Sequence, residues 1–271
     1  MKLLRAALII FLFILPIEYL SAKESERVFS FGVVPQQAGK KLRKLWTPFV
    51  ERISQETGLN LVLKSAPDIG KFQSKMLSGQ FDVAYSNPLL YIIANSSIGY
   101  QAIAKEKRKL LQSIIVVKKG SGIHSLDDLN GKSMVFPEHA FAATVLVQSQ
   151  LNHLGIQYNA SFVYSHDAAY KFLSLGKYDA AGGVSRTLGA LDDVTKASLT
   201  VLKKFEGISP HPFSVHPRLP HDTVSKIQAS LIGLSEDEEG KKILKQLRLN
   251  ALGVAKNNDW DDVRAIMSSR K

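Results

Sequence analysis

The sequence predicts an α/β protein of two lobes, each a mostly parallel sheet flanked by helices. Two observations carry this. From Val28 onward, short β-rich runs alternate three times with stretches of helical apolar period, the signature of βαβ units. After Leu110 to Val117 and the glycine-flanked Lys118-Lys119-Gly120-Ser121-Gly122, the alternation starts again, which predicts a crossover into a second lobe. The expected division is 1–22 as a signal peptide, 27–116 plus 217–271 as lobe 1, and 117–216 as lobe 2.

The first residues are Met1-Lys2-Leu3-Leu4-Arg5, then an apolar run from Ala6 to Leu15, Pro16 and a small-residue end at Ser21-Ala22. Basic start, short apolar middle and small end read as a signal peptide cleaved after Ala22. A spanning helix needs about 20 apolar residues, and this run is shorter. The chain has no cysteine, which excludes a disulfide framework, a thiolate metal site, a cysteine nucleophile and a lipidated N-terminal cysteine. The expected compartment is the periplasm. A formal charge of +11 favours anionic partners without naming them. No dense basic helix or aromatic-basic interleave points to nucleic acid.

Val28 to Val34 alternates as a strand that ends at Pro35-Gln36. Leu42, Leu45, Trp46, Phe49, Val50 and Ile53 then form one helical face, stopped at Gly58, with Pro48 expected to kink the helix or to follow a second start at Thr47. Leu59 to Leu63 is the second strand. Asp68 opens a helix carrying Ile69, Phe72 and Met76. Phe81 to Ala84 is the third strand, broken at Asn87-Pro88 because proline cannot continue a ladder and disfavours helical angles at the residue before it. Leu89 to Ala94 follows as a helix.

In the second half, Ser125-Leu126-Asp127-Asp128 reads as a capping box. Strands are expected at Ser133 to Phe136, Ser161 to Tyr164 and Tyr178 to Ala181, with helices at Phe141 to Leu154 and Asp167 to Leu175. Thr200 to Phe205 and Phe213 to Val215 are candidate return strands. Three helices finish the chain: Asp222 to Leu234, one opened by Ser235-Glu236-Asp237-Glu238 and running to Leu247, and Trp260 to Met267.

In open α/β sheets, ligands sit at the carboxyl ends of strands. The strand ends here present Gln36; Tyr85, Asn87 and Tyr91; Phe141, Ala142 and Thr144 at a helix start whose N–H groups and dipole suit an anion; His166; and Arg186, suited to a bidentate pair with an oxyanion. Tyr85 and Tyr91 are either core residues with buried hydroxyl partners or cleft residues offering a ring and a donor. Ser165-His166-Asp167 is either a fragment of a hydrolytic site or a helix cap with His166 beyond the strand end. His211, His216 and His221 are either metal ligands or loop histidines. No nucleophile elbow, phosphate loop, dinucleotide fingerprint or His-Glu-x-x-His pair occurs. No enzymatic activity, cofactor or metal is therefore expected.

Gly32-Val33-Val34-Pro35, Ser78-Gly79-Gln80-Phe81-Asp82-Val83-Ala84-Tyr85 with Asn87-Pro88 and Tyr91, the strand Ser113 to Lys118, Ser125-Leu126-Asp127-Asp128-Leu129, Gly131-Lys132 and Ser165-His166-Asp167 together resemble the phosphate/phosphite/phosphonate-binding proteins of ABC transporters. The resemblance implies a type II periplasmic-binding-protein fold, two lobes joined by two hinge strands and closing over an anion, with Tyr91 and His166 at ligand-contacting positions. It also implies delivery to an inner-membrane ABC permease; a subunit presenting the anion to a membrane histidine kinase is the alternative, and a monomer is expected. Two departures stand out. Where the family carries a hydroxyl-rich turn, this chain has Phe141-Ala142-Ala143, with Thr144 close by. Where the family commonly carries an acidic residue suited to an amine-bearing phosphonate, it has Ser185-Arg186. The expected ligand is a small phosphonate- or phosphate-like oxyanion without a cationic tail.

Overall fold

The computed structural model describes residues 27–268; the signal peptide expected at 1–22 lies outside the described residues. The strands are β1 (Val28–Val33), β2 (Asn60–Lys64), β3 (Val83–Tyr85), β4 (Gln101–Glu106), β5 (Leu111–Lys118), β6 (Ser133–Pro137), β7 (Asn159–Val163), β8 (Ala180–Val184), β9 (Leu199–Ile208), β10 (Phe213–Val215) and β11 (Leu252–Val254). They form a six-stranded sheet in the order β11-β4-β10-β3-β1-β2 and a five-stranded sheet in the order β7-β6-β8-β5-β9. The expected two-lobed α/β architecture is present, and the sheets are mixed where mostly parallel ones were expected. β1 pairs in parallel with β2 and β3, and β6 with β7 and β8. Strands β10 and β11, and β5 with its neighbours β8 and β9, pair antiparallel. The physical reason is the double crossing: β5 opens the second sheet and is later flanked by β8 and β9 running against it, and β10 returns to the first sheet between β3 and β4 and runs against both.

Pairing places β5 wholly in the second sheet and β10 wholly in the first. The chain passes between sheets at 107–110 and 209–212, whereas the boundaries expected from sequence fall at 116/117 and 216/217. Sequence reading missed β4, which has a single β-branched residue and runs into a charged stretch, and β11, which is three residues long.

Helix α1 (Gly39–Thr57) buries Leu42, Trp46, Phe49, Val50 and Ile53 and ends on Gly58 at φ 69°. It runs through Pro48 without a second start. A proline inside a helix costs about 3 kcal/mol, and five buried side chains at roughly 1.5–3 kcal/mol each outweigh it. Trp46 meets Tyr85 at a tilt, 4.7 Å between ring centres, and Phe49 lies flat against Phe213 at 5.6 Å, which fixes α1 over β3 and β10. Helix α2 (Ile69–Leu77) is capped by Asp68, which accepts from Lys71 N–H at 2.7 Å. Helix α3 (Pro88–Ser97) has Pro88 in its first turn and Asn87 as its cap.

In the second lobe the expected helix from Phe141 begins as a π-helical stretch, Phe141–Leu146, and continues as α4 (Val147–His153). Helix α5 (His166–Ser174) is capped by Ser165, and two short helices follow, α6 (Ser185–Gly189) and α7 (Asp193–Ala197). The closing helices are α8 (His221–Gly233), α9 (Glu238–Leu247) and α10 (Asp261–Ser268). Asp237, not Ser235, caps α9, accepting from Gly240 N–H at 2.8 Å. The lobe-1 core does not stop at the cleft: Ala140, Phe141, Ala142, Ala143 and Val184 of the second lobe belong to the same buried cluster. The structure is therefore a closed one.

Candidate functional site

Between the two sheets lies a small cavity lined by Val34, Gln36, Ile69, Asn87, Leu111, Ala140, Phe141, Ala142, Ala143, His166, Val184 and His211. Its volume of about 10 Å³ is room for a single water molecule. Each wall is set by a local rule. Asn87 sits where Pro88 stops the strand, and its side-chain oxygen accepts from Leu90 N–H at 2.8 Å. That bond fixes the side chain and leaves the Asn87 NH2 as a donor for a ligand. On the facing lobe, Gly182 lets β8 approach the start of the 141–146 helix; a Cβ there would run into the Ala143 carbonyl and the Phe136 ring. Gly183 makes the same room for the Tyr170 hydroxyl.

Behind His166 stands a buried hydroxyl pair. His166 Nδ1 lies 3.3 Å from Thr187 Oγ1, which lies 3.2 Å from the Tyr170 hydroxyl and donates to Val184 O at 3.1 Å. Burial pushes the His166 ring down to about 4, so the imidazole is neutral at pH 7. The adjacent side chains of the Ser165-His166-Asp167 run diverge: Ser165 accepts from Ala168 N–H and Asp167 pairs with Lys41 at 3.1 Å. They share no reacting atom.

Arg186 leaves α6 and crosses the cleft, donating to the Glu106 carboxylate and the Tyr85 hydroxyl of the first lobe. Both partners are buried, and the Tyr85 hydroxyl is pushed up to about 12, chiefly by burial. The Tyr85 ring stacks on His211 at 5.2 Å. His211 is carried by the second crossover, which Trp260 holds by donating from Nε1 to Pro210 O at 2.8 Å and Asp262 holds by accepting from Ser209 N–H at 2.7 Å. Among the described residues, the buried side-chain atoms without a protein partner are Ser86 Oγ, Ser113 Oγ, Asp167 Oδ1, Arg186 Nε and His211 Nδ1. All belong to segments that meet at the lobe interface: Ser86 adjoins Asn87, Asp167 follows His166, and Ser113 pairs across the ladder with Val184.

Of the residues expected at the site, Gln36, Asn87, Phe141, Ala142 and His166 line the cavity, and Tyr85 and Arg186 adjoin it through each other and His211. Tyr91 is elsewhere. Its hydroxyl donates to Asn257 Oδ1 and accepts from Ala102 N–H, both at 3.2 Å, and its ring meets Trp260 edge-on at 4.8 Å. Thr144 turns its hydroxyl back to Pro137 O at 2.5 Å. Sequence reading missed Glu106 and His211 as site residues. The first lies inside a charged run and gives no signal, while the second was one of three evenly spaced histidines whose partners go separate ways. His216 packs on Tyr100 and accepts from Arg218 N–H, and His221 is exposed.

The sequence profile of the family described as "ABC transporter, phosphonate, periplasmic substrate-binding protein" matches residues 31–260. The chain belongs to this family. A member, the phosphonates-binding periplasmic protein of Escherichia coli (strain K12), is 27% identical over 115 residues, 41% of this chain and 34% of that protein, so the match spans about a third of its length. PhnD1 of Prochlorococcus marinus (MIT 9301), solved in complex with methylphosphonate, superposes with a TM-score of 0.82 at 16% identity over 89% of this chain and 97% of its own. A binding protein component of an ABC phosphonate transporter from Pseudomonas aeruginosa does so with a TM-score of 0.79 at 17% identity over 89% and 85%. At these identities the superpositions show a shared fold. The periplasmic substrate-binding family, not a catalytic one, is the setting for the divergent Ser165-His166-Asp167 run.

Proposed function

We propose that the chain is the solute-binding protein of an ABC importer, exported with residues 1–22 removed after Ala22, working as a monomer in the periplasm and delivering a small oxyanion to an inner-membrane permease. The ligand is phosphonate- or phosphate-like and has no cationic tail. One observation carries this: hydrogen-bond donors from both lobes meet at a cleft whose buried charges cancel. Asn87 offers its NH2, Arg186 keeps an unpartnered Nε–H, and the helix start at Phe141 turns its dipole's positive end inward. Glu106 is already engaged by Arg186, and the nearby Asp167 is paired with Lys41, so each of these acids already has its own cation. Family membership sets the class of activity, and the P. marinus relative in complex with methylphosphonate supports the ligand class.

The cavity of about 10 Å³ is smaller than any such ligand, so the lobes part to admit it and close behind it. The test is a thermal-shift screen of the exported chain against methylphosphonate, phosphite, phosphate, 2-aminoethylphosphonate, sulfonates and carboxylates. A ligand at 100 times its Kd adds about 2.7 kcal/mol to stability and raises the melting point. Tail-less phosphonates, phosphite or phosphate are expected to shift it and 2-aminoethylphosphonate to shift it least. No shift with any oxyanion, or the largest with 2-aminoethylphosphonate, overturns the reading.

A further inference from the structure

His211 occupies the cleft with half of its polarity unanswered. It is 3% exposed and lines the cavity. Its Nε2 lies 3.2 Å from the Gln36 side-chain nitrogen, and its Nδ1 has no protein partner. An amide NH2 only donates, so the ring nitrogen facing it must carry the lone pair. A neutral imidazole bears one proton, which then sits on Nδ1. Burial, the charge of Arg186 and the neighbouring His166 all hold the ring neutral. The result is a buried N–H donor at the cavity wall with nothing in the protein to receive it, and such a donor gains more from an acceptor than a solvated one does.

Two features keep this donor in place. Tyr85 stacks on one face of the ring, and its hydroxyl is tied to Arg186 of the other lobe. The crossover beneath is held by Trp260 and Asp262 through Pro210 O and Ser209 N–H, which fixes the backbone that carries the ring. The Gln36 backbone is held too, its N–H donating to Val34 O at 2.9 Å. Gln36 and His211 come from different ends of the sequence, and no local motif joins them.

We propose that His211, oriented by Gln36, is a ligand-binding residue that donates its Nδ1 proton to an oxygen of the bound molecule. The first-lobe wall of the cleft thereby reads an oxygen acceptor, and it turns a positive edge toward any cationic substituent. Gln36 is a positioning residue: it sets which ring nitrogen carries the proton. This rests on the oxyanion reading above and narrows it to ligands that place an oxygen against the first lobe.

The experiment uses the exported chain and calorimetric titration with methylphosphonate and with inorganic phosphate, alongside the nitrogen-15 spectrum of the histidine rings in the free protein. His211→Ala and His211→Gln are expected to weaken binding by about tenfold or more. His211→Asn, whose amide nitrogen stands where Nδ1 stood, is expected to recover most of that loss, whereas His211→Gln places its amide where Nε2 stood. The free-protein spectrum is expected to show the His211 proton on Nδ1, and in Gln36→Leu to show it redistributed. A proton on Nε2 in the native chain, a glutamine variant that binds better than the asparagine one, or variants that all bind like the native chain each overturn the role of His211. Failure of the native chain to bind either probe overturns the oxyanion reading itself and the proposal with it.

Discussion

Arg186 and Glu106 form an ion pair across the cleft, with side-chain exposures of 9% and 2%. Arg186 stands in the first turn of α6, just past β8, and Glu106 ends β4, so the bond ties one lobe to the other. Glu106 is held in turn by Asn250 N–H at 2.9 Å and Lys109 at 3.5 Å. Removing one partner of a buried pair leaves the other charge uncompensated, at a cost of about 3–5 kcal/mol, whereas replacing both is often near neutral. Glu106→Ala is therefore expected to lower stability by several kcal/mol, and Arg186→Met combined with Glu106→Gln to restore most of it. Denaturant unfolding of the single and double variants measures this; additive losses would contradict a pair acting as a unit.

A second bridge is more exposed. Lys41 on α1 donates to Asp167 at 3.1 Å and to Ala190 O at 2.9 Å in the second lobe, with side-chain exposures of 34% and 19% at the ion pair. Pairs this accessible contribute about 0–1 kcal/mol. Lys41→Ala is expected to leave the melting point within a degree or two and to shift the open-closed balance by no more than a few fold, read as a larger radius of gyration in solution scattering.

The buried histidines set an acid limit. The His166 ring is neutral in the folded chain and titrates at about 4, while an unfolded histidine titrates near 6.5. Between these values the unfolded chain binds the extra proton, so the contribution to stability is complete above about pH 6.5 and is lost as pH falls toward 4. At about 1.4 kcal/mol per unit the loss from this ring reaches roughly 3 kcal/mol, and His211, shifted the same way, adds to it. Melting points from pH 7.5 to 4.5 are expected to fall below pH 6.5, less steeply in His166→Gln.

Tyr91 separates the structural from the ligand-binding role. Its hydroxyl bonds Asn257 and Ala102 N–H within the first lobe. Tyr91→Phe is expected to destabilise by about 1 kcal/mol, the usual net value of such bonds, and to leave oxyanion affinity unchanged in calorimetric titration. A tenfold loss of affinity at constant stability would return Tyr91 to the site.

Gly182 controls how closely β8 meets the helix start. A Cβ there collides with the Ala143 carbonyl and the Phe136 ring, which are backbone and core and cannot move aside. Gly182→Ala is expected to destabilise by about 1–3 kcal/mol, as overpacking does, and to weaken binding because the 141–146 turn shifts. Gly58→Ala, at φ 69° and remote from the cleft, serves as the control that destabilises without that loss of affinity.

What the sequence determined by itself is the local grammar of the chain. Alternating apolar periods, the stop at Gly58, the caps at Asp68 and Ser165 and the break at Asn87-Pro88 are decided within a few residues, and the structure carries each of them. These stops place strand ends, and so they bring out Gln36, Asn87, Phe141, Ala142 and His166 as cleft residues before any contact is known. Pairing direction, in contrast, is a property of two distant segments. The antiparallel pairing of β5 and β10 and the strands β4 and β11 emerge only when the chain crosses between sheets twice.

Tertiary structure alone decided what each candidate side chain faces. Tyr91 and Tyr85 look alike six residues apart, but α3 turns one to Asn257 and β3 brings the other to Arg186. The Arg186 charge looks free in sequence and meets a carboxylate 80 positions away. Gln36 and His211 are 175 residues apart. Their meeting engages Nε2 and leaves Nδ1 as the unpartnered atom of a ring that burial holds neutral. That consequence of packing is written in no single stretch of the chain.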